Sequence, residues 1–428
     1  MLNEFFNGGG TGSTDYIIER SLRLESGDSS YLAKTCASAG NRKIWTWSGW
    51  IKRTGTSGYF LGGGNGANNR MDFNFNADGQ IELFSRSGSS TIRADLRTEA
   101  SFRDFGAWYH IVIAFNAVKF SAKDRIKIYV NGVDQPLSVT TAVVNTKHEI
   151  NNTLGDYIGT RMDQAVFADA YLADVHFIDG QALDETDFGE YDDNGVWQPK
   201  AYRGTYGGNG YHLDFSDNSS NAALGYDAAG SNDWTVNNLE AGTDSLLDTP
   251  TNYETEVGNN GGNYATLNPL NSDSNTVFSN GNLTLNKTGT TGYGTCNHTI
   301  GVSSDKWYCE YTLSGDEQTV GIARASTSVT TSSYMHNSGG VGYYSGNGWI
   351  YYQGSSSITY GATFTTGDTI GIALDLDNGK IFFSKNGIFQ NSGEPVAGTN
   401  PAVSGLNDTY VFGLNAGDPT STVITNSP

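Results

Sequence analysis

The sequence predicts an all-β protein, with two antiparallel β-sandwich (jelly-roll type) domains joined by a loop-rich connector. Three observations predict it. Apolar residues fall on every second position in GDTIGIALDLDNGKIFFSKNGIF (367–389), where Ile370, Ile372, Leu374 and Leu376 alternate and Ile381 and Phe383 resume the period after Asp377-Asn378-Gly379. A period of two marks a half-buried strand, and Asn-Gly supplies the positive φ angles of a tight type I′ turn. The same phrase occurs far earlier, where Ile126, Ile128 and Val130 alternate into Asn131-Gly132. Finally, 55 glycines and 12% aromatic residues in 428 suit short strands joined by many turns. Helical periodicity is nearly absent; the best candidate is a short turn around Asp184–Gly189.

Taken in order, residues 1–15 read as an N-terminal arm, with Gly8-Gly9-Gly10 and no core-forming pattern. Strand signals fill residues 16–180: IIERSLRL, SSYLAK, IWTWSGWIKR (44–53), GYFLGG, MDFNFN, QIELFSR, WYHIVIAFN (108–116), RIKIYVNG and a closing stretch at 156–180. Trp45, Trp47 and Ile51 are expected on one face. Strands at roughly ten-residue spacing with glycine-rich turns argue for a sandwich. Residues 181–265 are acidic and turn-rich, with isolated anchors Trp197, Tyr211, Phe215 and Trp234. Such side chains are costly to expose, so the segment reads as an ordered connector packed on its neighbours. Residues 266–428 carry the second sandwich, whose final strand after Pro401-Ala402-Val403 reads as absent or incomplete.

The formal net charge of −20 opposes binding to nucleic acid or to an anionic membrane surface. The N-terminus lacks the basic and apolar regions of a secretory signal, and no run of about 18 apolar residues is present to span a membrane. Cys36, Cys296 and Cys309 are too few for a disulfide framework. Cys296 and Cys309 fall on neighbouring predicted strands, yet packed free thiols are the reading for a chain folded in a reducing compartment.

The motifs SLRLESGDSSYLAKT, TWSGWIKR, AWYHIVIAFN, KIYVNGV and YIGTR…FADAYLADVHFIDG resemble a laminin-G/concanavalin A-like jelly roll over residues 16–180. DKWYCEYTL, TVGIARA, VGYYSGNG and GDTIGIALDLDNGKIFFSKNG resemble a SPRY-type sandwich. The two together, with DFGEYDDNGVWQPK…DSLLDTPTNY…NYATLNPL between them, resemble virion structural proteins of tailed phages, marine ones especially. That resemblance implies a place on the virus particle, assembled in the host cytoplasm, as a tail fibre, tail appendage or capsid-surface protein. The partners it implies are other virion proteins and a host-surface glycan, with a homotrimer as the usual fibre symmetry. No heptad repeat is present to demonstrate one.

Concanavalin A-like folds also carry glycoside hydrolases, which place two carboxylates on alternate residues of one strand. The nearest matches are Asp187, Glu190 and Asp192 in DFGEYDD, and the pair Asp375 and Asp377; turn chemistry accounts for each. There is no Gly-x-Ser-x-Gly elbow, and the glycine run LGGGNGANN lacks the Lys-Ser/Thr of a phosphate loop. The six histidines form no His-x-His or His-x-x-x-His pair; His110 and His176, within apolar strands, read as structural. No catalytic residue is assigned and no cofactor is required. Calcium at a rim of the first sandwich is the alternative reading of the acidic turns Asp192, Asp193, Asp227 and Asp233, which do not meet the EF-hand spacing.

A surface argument remains. Sugars bind through aromatic faces stacked on their C–H groups, with Asn, Asp and backbone completing the hydrogen bonds. GYYSGNGWIYYQGSSSITYG (342–361) concentrates six such rings, and alternation buries about half. Trp349, beside Asn347-Gly348, is expected exposed, with Tyr344 and Tyr351 near it; in the first domain the candidates are Tyr59 and Asn65 in the 58–70 loop. The expected function is non-catalytic adhesion to host glycans. Pure architecture, as a capsid or tail decoration protein, is the alternative, and a glycan depolymerase is the third.

Overall fold

The computed structural model describes residues 16–253, 261–289, 292–329, 339–352, 356–417 and 422–426; the arm expected at 1–15 lies outside them. Gly12–Asn263 and Tyr264–Pro428 form two compact units, each built on antiparallel sheets.

In the first unit, one sheet runs Val133–Asp134, Ile126–Val130, Trp108–Asn116, Ile44–Arg53, Ala170–Asp179, Ser21–Leu24 and Ser245–Leu246. The facing sheet runs Leu137–Thr141, Thr91–Thr98, Ile81–Ser87, Asn69–Phe75, Gly58–Gly66, Gly155–Ile158, Tyr31–Lys34 and Thr235–Asn237. The period of two points Trp45, Trp47, Ile51, Ile111, Ile113, Phe115, Ile126, Ile128 and Val130 into the space between the sheets. They meet Phe60, Phe73, Leu83 and Leu96 from the other side. Trp45 stacks on Phe115 with ring centroids 4.8 Å apart.

Alternation describes one face only, and here the other face is buried too. On strand Ile44–Arg53 the outward residues Thr46, Ser48, Trp50 and Lys52 are all under 5% exposed. Described residues within 181–263, part of the 181–265 stretch that the sequence reads as a connector, cover them. Tyr211–Leu213 pairs with Ala170–Asp179, Thr235–Asn237 with Tyr31–Lys34, and Ser245–Leu246 with Ser21–Leu24. Leu213, Phe215, Leu224, Trp234 and Leu239 join the sandwich core. The segment is therefore built into the first unit as far as Asn263. The helical turn expected near Asp184 is a single 3-10 turn, Glu185–Asp187, with the Asp184 carboxylate accepting from Thr186 N–H.

The second unit pairs Leu267–Ser272, Gly294–Val302, Tyr410–Ala416, Gln318–Arg324, Val341–Tyr344, Trp349–Tyr352 and Ser356–Thr359 in one sheet. The other holds Thr276–Ser279, Thr284–Lys287, Thr422–Asn426, Lys306–Ser314, Thr369–Asp375, Lys380–Lys385 and Ile388–Phe389. A last strand, expected absent or incomplete, is present at Thr422–Asn426 between Thr284–Lys287 and Lys306–Ser314. Ile370, Ile372, Leu374, Ile381 and Phe383 are fully buried in its core.

Two details differ from the sequence reading. Asn131-Gly132 and Asn386-Gly387 have both φ angles positive, as type I′ requires, but at 378–379 only Gly379 does. Asp375 pairs with Lys380, so four residues close that hairpin. The Asp375 carboxylate organises it by accepting from Asn378 N–H and Nδ2–H. Cys296 and Cys309 lie on strands of different sheets, and all three cysteines are free thiols.

Because residues 181–263 supply both core and cover, a chain ending at residue 180 is expected to lose the cooperative unfolding of the first unit, whereas 12–263 retains it. Circular dichroism melts of the two fragments decide; a sharp transition in the shorter one would overturn this assignment.

Candidate functional site

In the second unit, strand alternation sends Tyr343 and Ile350 into the core and leaves Tyr344, Trp349 and Tyr351 on the outer face. Trp349 is 37% exposed. Its ring lies 6.5 Å from that of Tyr351, which meets Tyr344 edge-on at 6.1 Å. Asn347 ties the group together: its Nδ2–H donates to the Tyr351 hydroxyl and its Oδ1 accepts from Trp349 N–H. Gly348, at φ +70°, lets the chain turn where a Cβ would strike the Gly361 carbonyl. Four candidates named from sequence thus come together as one aromatic platform.

Tyr59 and Asn65 do not. The expected 58–70 loop is a hairpin of strands Gly58–Gly66 and Asn69–Phe75, and six residue steps along the extended strand separate the two by roughly 20 Å. Tyr59 is half-buried with the Arg161 guanidinium over its ring at 5.9 Å; Asn65 is exposed.

The acidic turns are held by backbone. Asp192 accepts from Asn194 and Val196 N–H, closing the turn between Gly189–Tyr191 and Trp197–Pro199, with Asp193 exposed beside it. Asp227 accepts from His212, Ala229 and Asn232 N–H, and Asp233 accepts from Asp227 N–H. None of the four joins a group of three metal-ligating side chains among the described residues. Glu190 is exposed beside Lys200, and Asp187 sits in the 3-10 turn, so these carboxylates form no pair on one strand.

Sequence reasoning missed the outer face of the first unit's sheet, where 181–263 meets it. The Lys52 ammonium, wholly buried, lies 2.7 Å from Asp248, and Arg23 lies 3.0 Å from Asp244. Asp248 also accepts from the Trp108 indole. His110 is satisfied at both nitrogens: Trp197 Nε1–H donates to Nδ1, so Nε2–H faces the Ser48 hydroxyl. Burial pushes His110 down to about 3, so it is neutral. Trp197 reaches it because Gly132 and Gly189 leave room on both sides, where a Cβ would come within 2.4 Å and 2.3 Å of the indole. Trp50, Trp108, Trp197, Tyr191, Asn131 and Asn263 line an open groove of about 440 Å3 above this layer. Trp50 Nε1, buried in its floor, has no hydrogen-bond partner.

Residues 26–187 match the family described as the concanavalin A-like lectin/glucanases superfamily, and residues 306–398 match the SPRY domain family. The chain carries a concanavalin A-like domain followed by a SPRY domain. No curated protein matches the sequence. Among solved structures it is similar to the SPRY domain of human HERC1, at 21% identity over 37% of this chain and 96% of that one, TM-score 0.31. The TRIM65 PSpry domain is 13% identical over 38% and 90%, TM-score 0.30, and stonustoxin 16% identical over 38% and 27%, TM-score 0.30.

In the concanavalin A-like domain, burial pushes the Asp72 carboxyl up to about 7, although the Arg70 guanidinium lies 3.0 Å away. Its alternate neighbours on the strand are Arg70 and Asn74, so it has no carboxylate partner there. A raised carboxyl keeps its proton longer in the folded state, so stability falls as pH rises from about 4 towards 7. Asp72→Asn is therefore expected to gain up to about 4 kcal/mol over the native chain at pH 8 and nothing near pH 4. Urea unfolding across pH measures it; a gap independent of pH sinks it. Separately, Asp248→Asn strands the buried Lys52 charge and is expected to cost about 3–5 kcal/mol in the same assay.

Proposed function

We propose that this chain is a non-catalytic adhesion protein that holds glycans on the Tyr344–Trp349–Tyr351 platform. The carrying observation is an exposed tryptophan tilted beside Tyr351, which meets Tyr344 edge-on, the group fixed by Asn347 on strands whose other face is core. Flat aromatic faces bordered by amides suit the C–H faces and hydroxyls of a sugar. Concanavalin A-like and SPRY domains are typically binding modules, which supports a binding role. The carboxylates weighed for hydrolysis close turns or stand alone, which supports the absence of catalysis.

The finer reading is a structural protein of a tailed-phage particle, of tail-fibre or appendage type, that recognises the host surface. It rests on the arrangement of motifs in the sequence, with other virion proteins as partners. A decoration protein with a purely architectural role is the second reading. It is favoured by Phe120, fully exposed beside the exposed Val118, which fits a protein contact better than a sugar.

Trp349→Ala is expected to weaken glycan-array binding about tenfold, the loss of about 1.4 kcal/mol, with an unchanged melting temperature. Undiminished binding would remove the platform as the site, and failure of the native chain to bind any glycan would favour architecture.

A further inference from the structure

Beneath the cover of the concanavalin A-like domain, the bulge in strand Ala170–Asp179 brings Asp174 and His176 together with a side chain 36 positions beyond His176 in sequence. Its pairing with Ile44–Arg53 shifts register between Ala173 and His176, and Asp174 takes φ +50°. Asp174 and His176 thereby turn to the outer face, where Tyr211–Leu213 adds its own strand and delivers His212. The Asp227 carboxylate accepts from His212 N–H and fixes that strand's position.

Asp174 Oδ1 lies 3.2 Å from His176 Nε2 and 2.7 Å from His212 Nε2, and the ligand atoms of all three fall within 4.8 Å of one another. The Tyr16 hydroxyl donates to the same Oδ1 at 2.8 Å. His176 is 1% exposed, and its Nε2 faces the Asp174 carboxylate at 3.2 Å without good hydrogen-bond geometry. Its Nδ1 lies 2.9 Å from the Tyr206 hydroxyl. In a metal-ligating histidine one ring nitrogen takes an outer partner and the other meets the ion, and Tyr206 on Nδ1 leaves Nε2 for that role.

We propose that Asp174, His176 and His212 form a binding site for a divalent transition metal of the zinc class. Two imidazoles and one carboxylate select zinc-class ions over calcium, which takes oxygen ligands. Tetrahedral zinc with bonds of about 2.1 Å keeps its ligand atoms roughly 3.4 Å apart, close to the 3.2 Å between Oδ1 and His176 Nε2. The two rings stack at 4.1 Å and 15°, so one must turn for both lone pairs to meet one ion. His212, whose side chain is 15% exposed, is the one with room. Without metal, His212 Nε2–H donates to Asp174 and stands where the ion would; on binding, that proton leaves to solvent.

The test adds Zn2+ alone, or Co2+ as its visible probe, to the full chain freed of metal with a chelator at neutral pH. The expected result is one equivalent bound, a higher melting temperature, and an affinity lowered about tenfold or more in His212→Gln. His212→Cys is the second variant: a thiolate-to-Co2+ charge-transfer band arises only if position 212 is a ligand. Absence of stoichiometric binding in the native chain, or a Co2+ spectrum in His212→Cys without that band, overturns the site. These readouts are independent of glycan binding.

Discussion

The concanavalin A-like domain depends on neutralising a polar layer that it buries. Lys52, Arg23, His110, His176 and Asp174 all lie on the outer face of one sheet and are nearly or wholly inaccessible. An unpaired buried charge costs several kcal/mol, more than the burial of any one apolar side chain returns. That face is stable only because 181–263 lays Asp244, Asp248, His212 and Trp197 onto it. The acidity of this segment, which from sequence reads as solvation of turns, is partly the counter-charge for a buried basic row. Its aromatic residues then seal the layer from water.

This arrangement explains where binding chemistry can lie. A strand buried on both faces presents nothing to a ligand, so the polar layer is open only at its margins. The groove of Trp50, Trp108 and Trp197 is one such margin. In the SPRY domain no comparable cover lies over Trp349 among the described residues, and that residue is 37% exposed. One alternation of side chains therefore yields concealed chemistry in one domain and displayed chemistry in the other.

Much of the platform was legible. Tyr344, Trp349 and Tyr351 share a parity opposite to the core residues Tyr343 and Ile350 once the Asn347-Gly348 turn is placed, and local spacing suffices to group them. The Asp174–His176–His212 group was not, although the alternate pair Asp-x-His in ADVHFIDG was a local signal. Its third member arrives from a strand that pairs only after a long excursion. Tyr59 and Asn65 show the converse: neighbours in sequence that an extended strand holds apart.

By itself the sequence determined the two sandwiches, most strand positions and the apolar sets between the sheets, because a period of two is a local property that any strand must satisfy. It also marked the turns at Asn131-Gly132, Asn386-Gly387 and Asn378-Gly379, but not their type, since Asn378 lacks the positive φ that Asn131 and Asn386 take. Only the tertiary structure decided that 181–263 belongs to the first domain, that the outward polar residues are buried, and that Asp174, His176 and His212 meet. Pairing partners, cover and counter-charges are fixed by long-range burial, and no residue carries that information in its immediate neighbours.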